Sequence, residues 1–84
     1  MNKPEVVTEL MQFFAAEFPE PDEALTEDTN LLQGWFMDSL AIVTTTLFIE
    51  EHFGVPLSRA DINGDNFQNV STLADLVLRK LPGE

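Results

Sequence analysis

Three segments with apolar residues at helical spacing limit the folds that this chain can adopt. They span residues 4–18, 38–53 and 71–81, and no segment alternates in the way that a half-buried strand does. Pro4 suits a first helical turn, where a missing N–H group costs nothing. Residues 58–61 have the spacing of a capping box and predict one further short turn. We therefore predict an all-α fold, a small four-helix bundle of three long helices and one short helix.

The length and composition predict a single domain over residues 1–84. A chain of 84 residues can build one hydrophobic core, and 44% of this one is hydrophobic. Cysteine is absent, so neither a disulfide framework nor a thiolate metal site can hold the fold, and packing must do so alone. The chain opens with no apolar signal core and contains no apolar run of about 20 residues. We expect a cytoplasmic protein without membrane insertion.

The charge of the chain excludes several kinds of partner. Fifteen acidic residues against four basic ones give a formal net charge of −11. Such a charge repels the phosphates of nucleic acids and the surfaces of anionic membranes. It favours protein partners with basic docking patches, because complementary charge accelerates encounter and selects partners. We predict a monomer that binds neither nucleic acid nor membranes.

The segments between the predicted helices carry turn and capping signals. An acidic loop with two prolines follows the first helix and runs to Met37, and it holds five large apolar residues that we expect to fold partly over the core. These are Leu25, Leu31, Leu32, Trp35 and Phe36. Gly54 stands where a helix-ending glycine belongs, and Ser71 is predicted to open the last helix. Asn63-Gly64-Asp65 predicts a turn rather than a calcium loop.

The segment Met37-Asp38-Ser39-Leu40 places a serine at the start of the second helix. On local sequence alone, Asp38 or Ser39 acts as a helix cap. A nucleophilic serine needs a base within hydrogen-bond reach, but the single histidine, His52, lies thirteen residues along the same helix, about 20 Å away. His52 is instead predicted as a helix-end residue. We predict no catalytic residues and no metal site.

Three features together resemble the acyl and peptidyl carrier proteins. They are Asp38-Ser39-Leu40, the helix end Ile49-Glu50-Glu51-His52-Phe53-Gly54-Val55, and the segment from Phe67 to Val77. The resemblance covers nearly the whole chain. It implies that a phosphopantetheinyl transferase moves 4′-phosphopantetheine from coenzyme A onto the Ser39 hydroxyl, with Asp38 as the flanking residue of the motif. It also implies a carrier rather than an enzyme.

The resemblance implies a docking face for partner enzymes on the long loop and the second helix. The partners would be a loading enzyme, either an adenylating ligase or an acyltransferase, and a downstream synthase or transferase. The candidate docking residues are Trp35, Phe36, Leu40, Val43, Leu47, Glu50 and Glu51. For Leu40, Val43 and Leu47 the alternative is core packing, whereas Ile42, Phe48 and Ile49 are predicted to lie in the core.

Two sequence details bear on the kind of carrier. Carriers of fatty acid synthases tend to place an acid one turn after the serine, where this chain has Thr44. Residues 50–57 and 65–70 look more like free-standing carriers of aminoacyl, D-alanyl or unusual extender units. We therefore favour secondary metabolism, of polyketide or nonribosomal peptide type, or D-alanyl transfer. Fatty acid synthesis is the alternative within the family. Outside it, the alternative is a helical interaction domain in which Ser39 is only a cap.

The net charge predicts how salt affects stability. Because the acidic side chains repel one another, moderate salt or a divalent cation is expected to raise the melting temperature. Thermal melts followed by circular dichroism across a salt series measure this. A melting temperature that does not rise with salt contradicts the self-repulsion argument.

Overall fold

Three α-helices dominate the structure, a computed structural model that describes residues 2–17, 26–32 and 39–81. They are α1 (Lys3–Glu17), α2 (Ser39–Phe53) and α3 (Val70–Lys80), and a 3₁₀ helix (Arg59–Asp61) precedes α3. No strand occurs in the described ranges, which confirms the all-α prediction. The predicted short fourth helix is a single 3₁₀ turn. Within the same ranges, no helix is long and apolar enough to cross a membrane.

A reciprocal pair of hydrogen bonds starts α1. The side-chain oxygen of Asn2 accepts the Glu5 N–H group at 3.0 Å, and the Asn2 N–H group donates to Glu5 Oε1 at 2.9 Å. This capping box satisfies a backbone donor that the first helical turn leaves without a partner. Pro4, as predicted, lies in this first turn.

A similar box starts α3, one position earlier than predicted. Asn69 Oδ1 accepts the Thr72 N–H group at 2.8 Å, and Thr72 Oγ1 accepts the Asn69 N–H group at 3.1 Å. The prediction that Ser71 opens this helix is therefore wrong. Its N–H group donates instead to the carbonyl oxygen of Glu27 at 3.0 Å. A serine in the first turn thus connects α3 to the segment between α1 and α2.

The core lies between α1 and α3, with contributions from α2 and the loops. Its members are 0–8% exposed, and the fully buried ones include Leu10, Phe14, Leu31, Ile49, Phe67, Leu73, Leu76 and Val77. α3 supplies its residues at the predicted helical spacing. The buried set of α1 also includes Phe13, which the sequence pattern did not single out.

Aromatic stacking joins α1 to α2 at the edge of this core. The rings of Phe13 and Phe48 stack with centroids 4.2 Å apart, and the His52 ring also stacks on Phe48, at 4.8 Å. His52 Nε2 lies 2.5 Å from Glu9 Oε1. His52 is in the last turn of α2, as predicted, and its contacts attach that turn to α1.

The segment 26–32 folds back over the core. Leu31 is fully buried, and its N–H group donates to the carbonyl oxygen of Gln68 at 2.8 Å. The fold-back prediction is confirmed for Leu31, whereas Leu32 is 39% exposed. The other apolar residues of the loop, Leu25, Trp35 and Phe36, lie outside the described residues.

The connection between α2 and α3 is attached to the carboxyl end of α3. Gly54 ends α2 with φ +70°, the left-handed conformation predicted for it. Lys80 Nζ lies 2.7 Å from Asp61 Oδ2, and the Ser58 N–H group donates to the same oxygen at 2.8 Å. The hydrogen bond from Lys80, followed by that from Ser58, lowers the pKa of Asp61 to about 2. The side chain of Asn66 accepts from Arg79 at 3.1 Å, which adds a second link.

Two matched leucine truncations test the core. Leu10 is fully buried and Leu40 is 74% exposed. We expect Leu10→Ala to lower the free energy of unfolding by about 2–5 kcal/mol through lost burial and a residual cavity. Leu40→Ala is expected to change it by less than about 0.5 kcal/mol. Urea denaturation measures both, and equal losses would contradict the assignment of the core.

The Asp61 carboxylate predicts a pH-dependent part of the stability. Its folded pKa of about 2 lies below its ordinary value of 3.8. Its ion pair with Lys80 therefore stabilises the fold above about pH 4 and ceases to do so as the pH falls towards 2. We expect Asp61→Asn to lower the urea midpoint at pH 7, with a deficit that shrinks between pH 4 and 2.

The control for this variant is Asp75→Asn, which removes the same charge from an exposed pair with Lys3. Removing any carboxylate from a chain of net charge −11 reduces the repulsion among its acidic residues. Subtracting the effect of Asp75→Asn corrects for that contribution. A deficit in Asp61→Asn that persists unchanged to pH 2 would contradict the role of the carboxylate.

Candidate functional site

The amino end of α2 is the first component of the candidate site. Ser39 is the first residue of this helix, as the sequence predicted, and Asp38 lies outside the described residues. The N–H groups of a first helical turn have no partner within the helix, and the helix dipole is positive there. The first turn of α2 carries no acidic side chain. This end of the helix therefore suits a negatively charged group.

A stripe of exposed apolar side chains continues from Ser39 along α2. Leu40 is 74% exposed, Val43 53% and Leu47 51%. Their spacings of three and four residues place them on one side of the helix. Of the two interpretations left open for these residues, the structure excludes core packing. We call this set, Leu40, Val43 and Leu47, the α2 stripe.

The opposite side of α2 faces the core. Ile49 is fully buried, and Ile42 and Phe48 are partly buried against the core residues, which confirms their predicted places. Thr45 is also fully buried, and its hydroxyl donates to the Ala41 carbonyl oxygen at 2.8 Å. A buried hydroxyl without a partner would be costly, so this bond allows threonine in the core.

The two glutamates at the end of α2 differ in their surroundings. Glu50 is partly buried, and its Oε2 accepts the Leu57 N–H group at 3.0 Å. Glu51 is exposed and falls on the same side of the helix as the α2 stripe. The sequence predicted one role for both residues and contains no signal for the bond to Leu57. Of the other candidate docking residues, Trp35 and Phe36 lie outside the described residues.

The histidine of the chain lies far from Ser39. His52 lies thirteen positions along α2, about 20 Å away, and is engaged with Glu9. No group of three or more His, Cys, Asp or Glu side chains in the described part of the chain could hold a metal ion. As far as the structure describes it, the site consists of a helix amino end and an adjoining apolar surface.

Comparison with known proteins identifies the family of this chain. The model of the family described as "Phosphopantetheine attachment site" matches residues 8–77, which is most of the chain. An acyl carrier protein of Lactobacillus acidophilus is 27% identical over 77 residues, which cover 92% of this chain and 90% of that protein. The predicted resemblance to carrier proteins is confirmed.

Membership of this family has direct chemical consequences. Carrier proteins hold a 4′-phosphopantetheine prosthetic group and interact with a phosphopantetheinyl transferase and with enzymes that handle acyl groups. They carry out no catalysis of their own. The match begins within α1 and ends within α3, so it includes all of α2 and the 3₁₀ helix and part of each of the other two helices. This chain belongs to the phosphopantetheine attachment site family, as a non-enzymatic carrier protein with 4′-phosphopantetheine as its cofactor.

Proposed function

We propose that Ser39 is the residue that carries the 4′-phosphopantetheine arm, with Asp38 as the flanking residue of the motif. The observation that carries this proposal is the position of Ser39 at the first residue of α2, directly before the exposed α2 stripe. A transferase can approach a residue at a helix end next to an exposed surface. The other serines have different surroundings: Ser58 Oγ donates to Asp61, and the backbone of Ser71 joins Glu27.

The chemistry of this helix end fits the phosphate of the arm. The Ser39 hydroxyl would form the phosphodiester bond, and the N–H groups of the first turn would face the phosphate charge. The first turn of α2 contains no acidic side chain that would repel it. When bound, the arm supplies a terminal thiol, which holds a cargo as a thioester. The chain itself contains no cysteine, so the cofactor is its only source of a thiol.

The pathway we propose is secondary metabolism, of polyketide or nonribosomal peptide type, or D-alanyl-type transfer. Supporting this, residues 39–49 carry no charge, and Thr44 occupies the position one turn after Ser39 where fatty acid carriers tend to have an acid. The second candidate is fatty acid synthesis, which is favoured by the similarity to a protein named acyl carrier protein. The loading enzyme would select the cargo in either case.

The partners in this proposal approach the α2 side of the molecule. They are the phosphopantetheinyl transferase, an adenylating ligase or acyltransferase that loads the arm, and a synthase or transferase that receives the cargo. The proposed docking face is the α2 stripe with Glu50 and Glu51 at its end, extended by Trp35 and Phe36. We propose that the chain acts as a monomeric single domain in the cytoplasm.

An intact-mass experiment tests the attachment site. The purified protein is incubated with coenzyme A and a broad-specificity phosphopantetheinyl transferase. We expect the wild type to gain the mass of one phosphopantetheine and Ser39→Ala to gain none. Ser58→Ala is the matched control, because Ser58 is an exposed serine next to a short helix. It should be modified as the wild type is.

The remaining outcomes separate the alternatives. Circular dichroism of each variant shows whether the helices are intact. A folded wild type that gains no mass contradicts attachment and favours the helical interaction domain, in which Ser39 is only a cap. A gain that survives Ser39→Ala and disappears in Ser58→Ala moves the attachment site to Ser58.

A further inference from the structure

The turn that follows the 3₁₀ helix contains the one Asn-Gly pair of the chain. Asn63 and Gly64 are both exposed. The other four asparagines precede lysine, leucine, phenylalanine or valine, each of which puts a Cβ atom beside its own backbone nitrogen. Glycine leaves that nitrogen uncovered and the backbone around it free to rotate. The proposed attachment site and the docking face do not involve this pair.

The fold does not require glycine at position 64. Of the glycines that the structure describes, Gly54 is the one with a positive φ. A Cβ atom added to Gly64 would lie 3.7 Å from Leu32 Cδ1, which is an ordinary van der Waals distance. Alanine would therefore fit there. What glycine changes at this position is the reactivity of its neighbour, Asn63.

Three hydrogen bonds hold Asn63 in the turn. Its Oδ1 accepts the Asn66 N–H group at 2.8 Å, and its Nδ2 donates to the Ala60 carbonyl oxygen at 2.9 Å. Its own carbonyl oxygen accepts the N–H group of the buried Phe67 at 3.0 Å. Within the described part of the chain, the Gly64 N–H group makes no hydrogen bond. The backbone nitrogen next to the Asn63 amide is thus unengaged, whereas the amide itself is held in place.

Asn66 connects the same turn to the 3₁₀ helix and to α3. Its Nδ2 donates to the Asp61 carbonyl oxygen at 2.8 Å, and its Oδ1 accepts from Arg79 Nη2 at 3.1 Å. Arg79 is exposed. These two bonds restrain the turn, so a rearrangement of Asn63 requires local opening of the turn.

We propose that Asn63 is a site of spontaneous deamidation, and that opening of this turn controls its rate. Solvent hydroxide removes the Gly64 N–H proton, and the nitrogen attacks Asn63 Cγ. The new N–Cγ bond closes a succinimide ring, and the Cγ–Nδ2 bond breaks as ammonia leaves with a proton from water. Water then opens the ring at either carbonyl, which gives aspartate or isoaspartate at position 63. The net change consumes one water molecule and releases one ammonia.

Both products alter the bonds of the turn. Aspartate keeps an acceptor for the Asn66 N–H group, but it loses the donor to Ala60 and adds one negative charge to a chain of net charge −11. Isoaspartate routes the main chain through the former side chain, which lengthens the turn by one carbon. The carbonyl oxygen that accepts the Phe67 N–H group then becomes part of a carboxylate. Because Phe67 is buried, we expect the isoaspartyl form to be less stable.

The experiment follows deamidation of the intact chain at pH 9, with and without urea. Peptide mapping by mass spectrometry, with a fragmentation method that distinguishes isoaspartate from aspartate, locates and quantifies both products. Gly64→Ala covers the reacting nitrogen. Asn66→Ala removes both side-chain bonds of Asn66, and Arg79→Ala removes one of them. Lys3→Ala is the matched control for Arg79→Ala, because it removes the same charge from a different contact with α3, the ion pair with Asp75.

We expect the folded wild type to be modified at Asn63 and not at its other asparagines, about tenfold more slowly than in urea, because hydrogen bonds of the turn must first break. Arg79→Ala should accelerate the reaction about threefold and Asn66→Ala about fivefold. Lys3→Ala should stay within about twofold of the wild type. Gly64→Ala should slow it at least about tenfold.

The products are then separated from the unmodified protein by anion exchange and compared in thermal melts. We expect the isoaspartyl form to melt at a lower temperature than the unmodified protein. Gly64→Ala should melt at the wild-type temperature or above it, because alanine narrows the conformations of the unfolded chain.

Other outcomes overturn the proposal in distinguishable ways. No product at Asn63 in the folded chain, or equal product at the other asparagines, overturns the assignment of the site. Equal rates in the wild type, Arg79→Ala and the chain in urea overturn control by the turn. This comparison uses an exposed arginine, so it does not depend on Asn66→Ala being folded. An isoaspartyl form that melts with the unmodified protein overturns the structural consequence.

Discussion

The packing of one side of α2 against the core is the contact on which the rest of the structure depends. Ala41, Thr45 and Ile49 follow one another at intervals of four residues and are all buried. Because this side faces inward, the α2 stripe must face solvent. The same packing holds the amino end of the helix, and so Ser39, in a defined place relative to that stripe. A chain without cysteine has no disulfide or thiolate metal site to hold this helix, so apolar contact must do so.

The few cations of the chain are engaged mainly at α3. Lys80 pairs with Asp61, Arg79 donates to Asn66, and Lys3 of α1 pairs with Asp75 of α3. These contacts attach the 3₁₀ segment and α1 to the last helix, where they offset part of the repulsion among the acids. Four basic residues do not match fifteen acidic ones, so the chain keeps a formal net charge of −11.

Local patterns predicted the elements well and their junctions less well. Apolar periodicity located all three α-helices within a residue or two, and Gly54 marked the end of α2 because its left-handed conformation suits glycine. The start of α3 was predicted at Ser71 but is capped by Asn69. Serine and asparagine are both good caps. The choice between them depends on whether the side chain three positions later can accept a hydrogen bond from the N–H group of the cap residue. The hydrogen bond between Ser71 and Glu27 joins distant segments, so no local pattern reveals it.

By itself the sequence determined the all-α class, the place of each helix and the family, because periodicity and the Asp38-Ser39-Leu40 motif are properties of neighbouring residues. It predicted that Ile42, Phe48 and Ile49 lie in the core, but it left open whether the residues of the α2 stripe are buried as well. That choice belongs to the tertiary structure, since it depends on where α1 and α3 lie. The different surroundings of Glu50 and Glu51 also depend on the tertiary structure. Adjacent residues of one helix point in directions about 100° apart, and only the fold puts the Leu57 N–H group within reach of one of them.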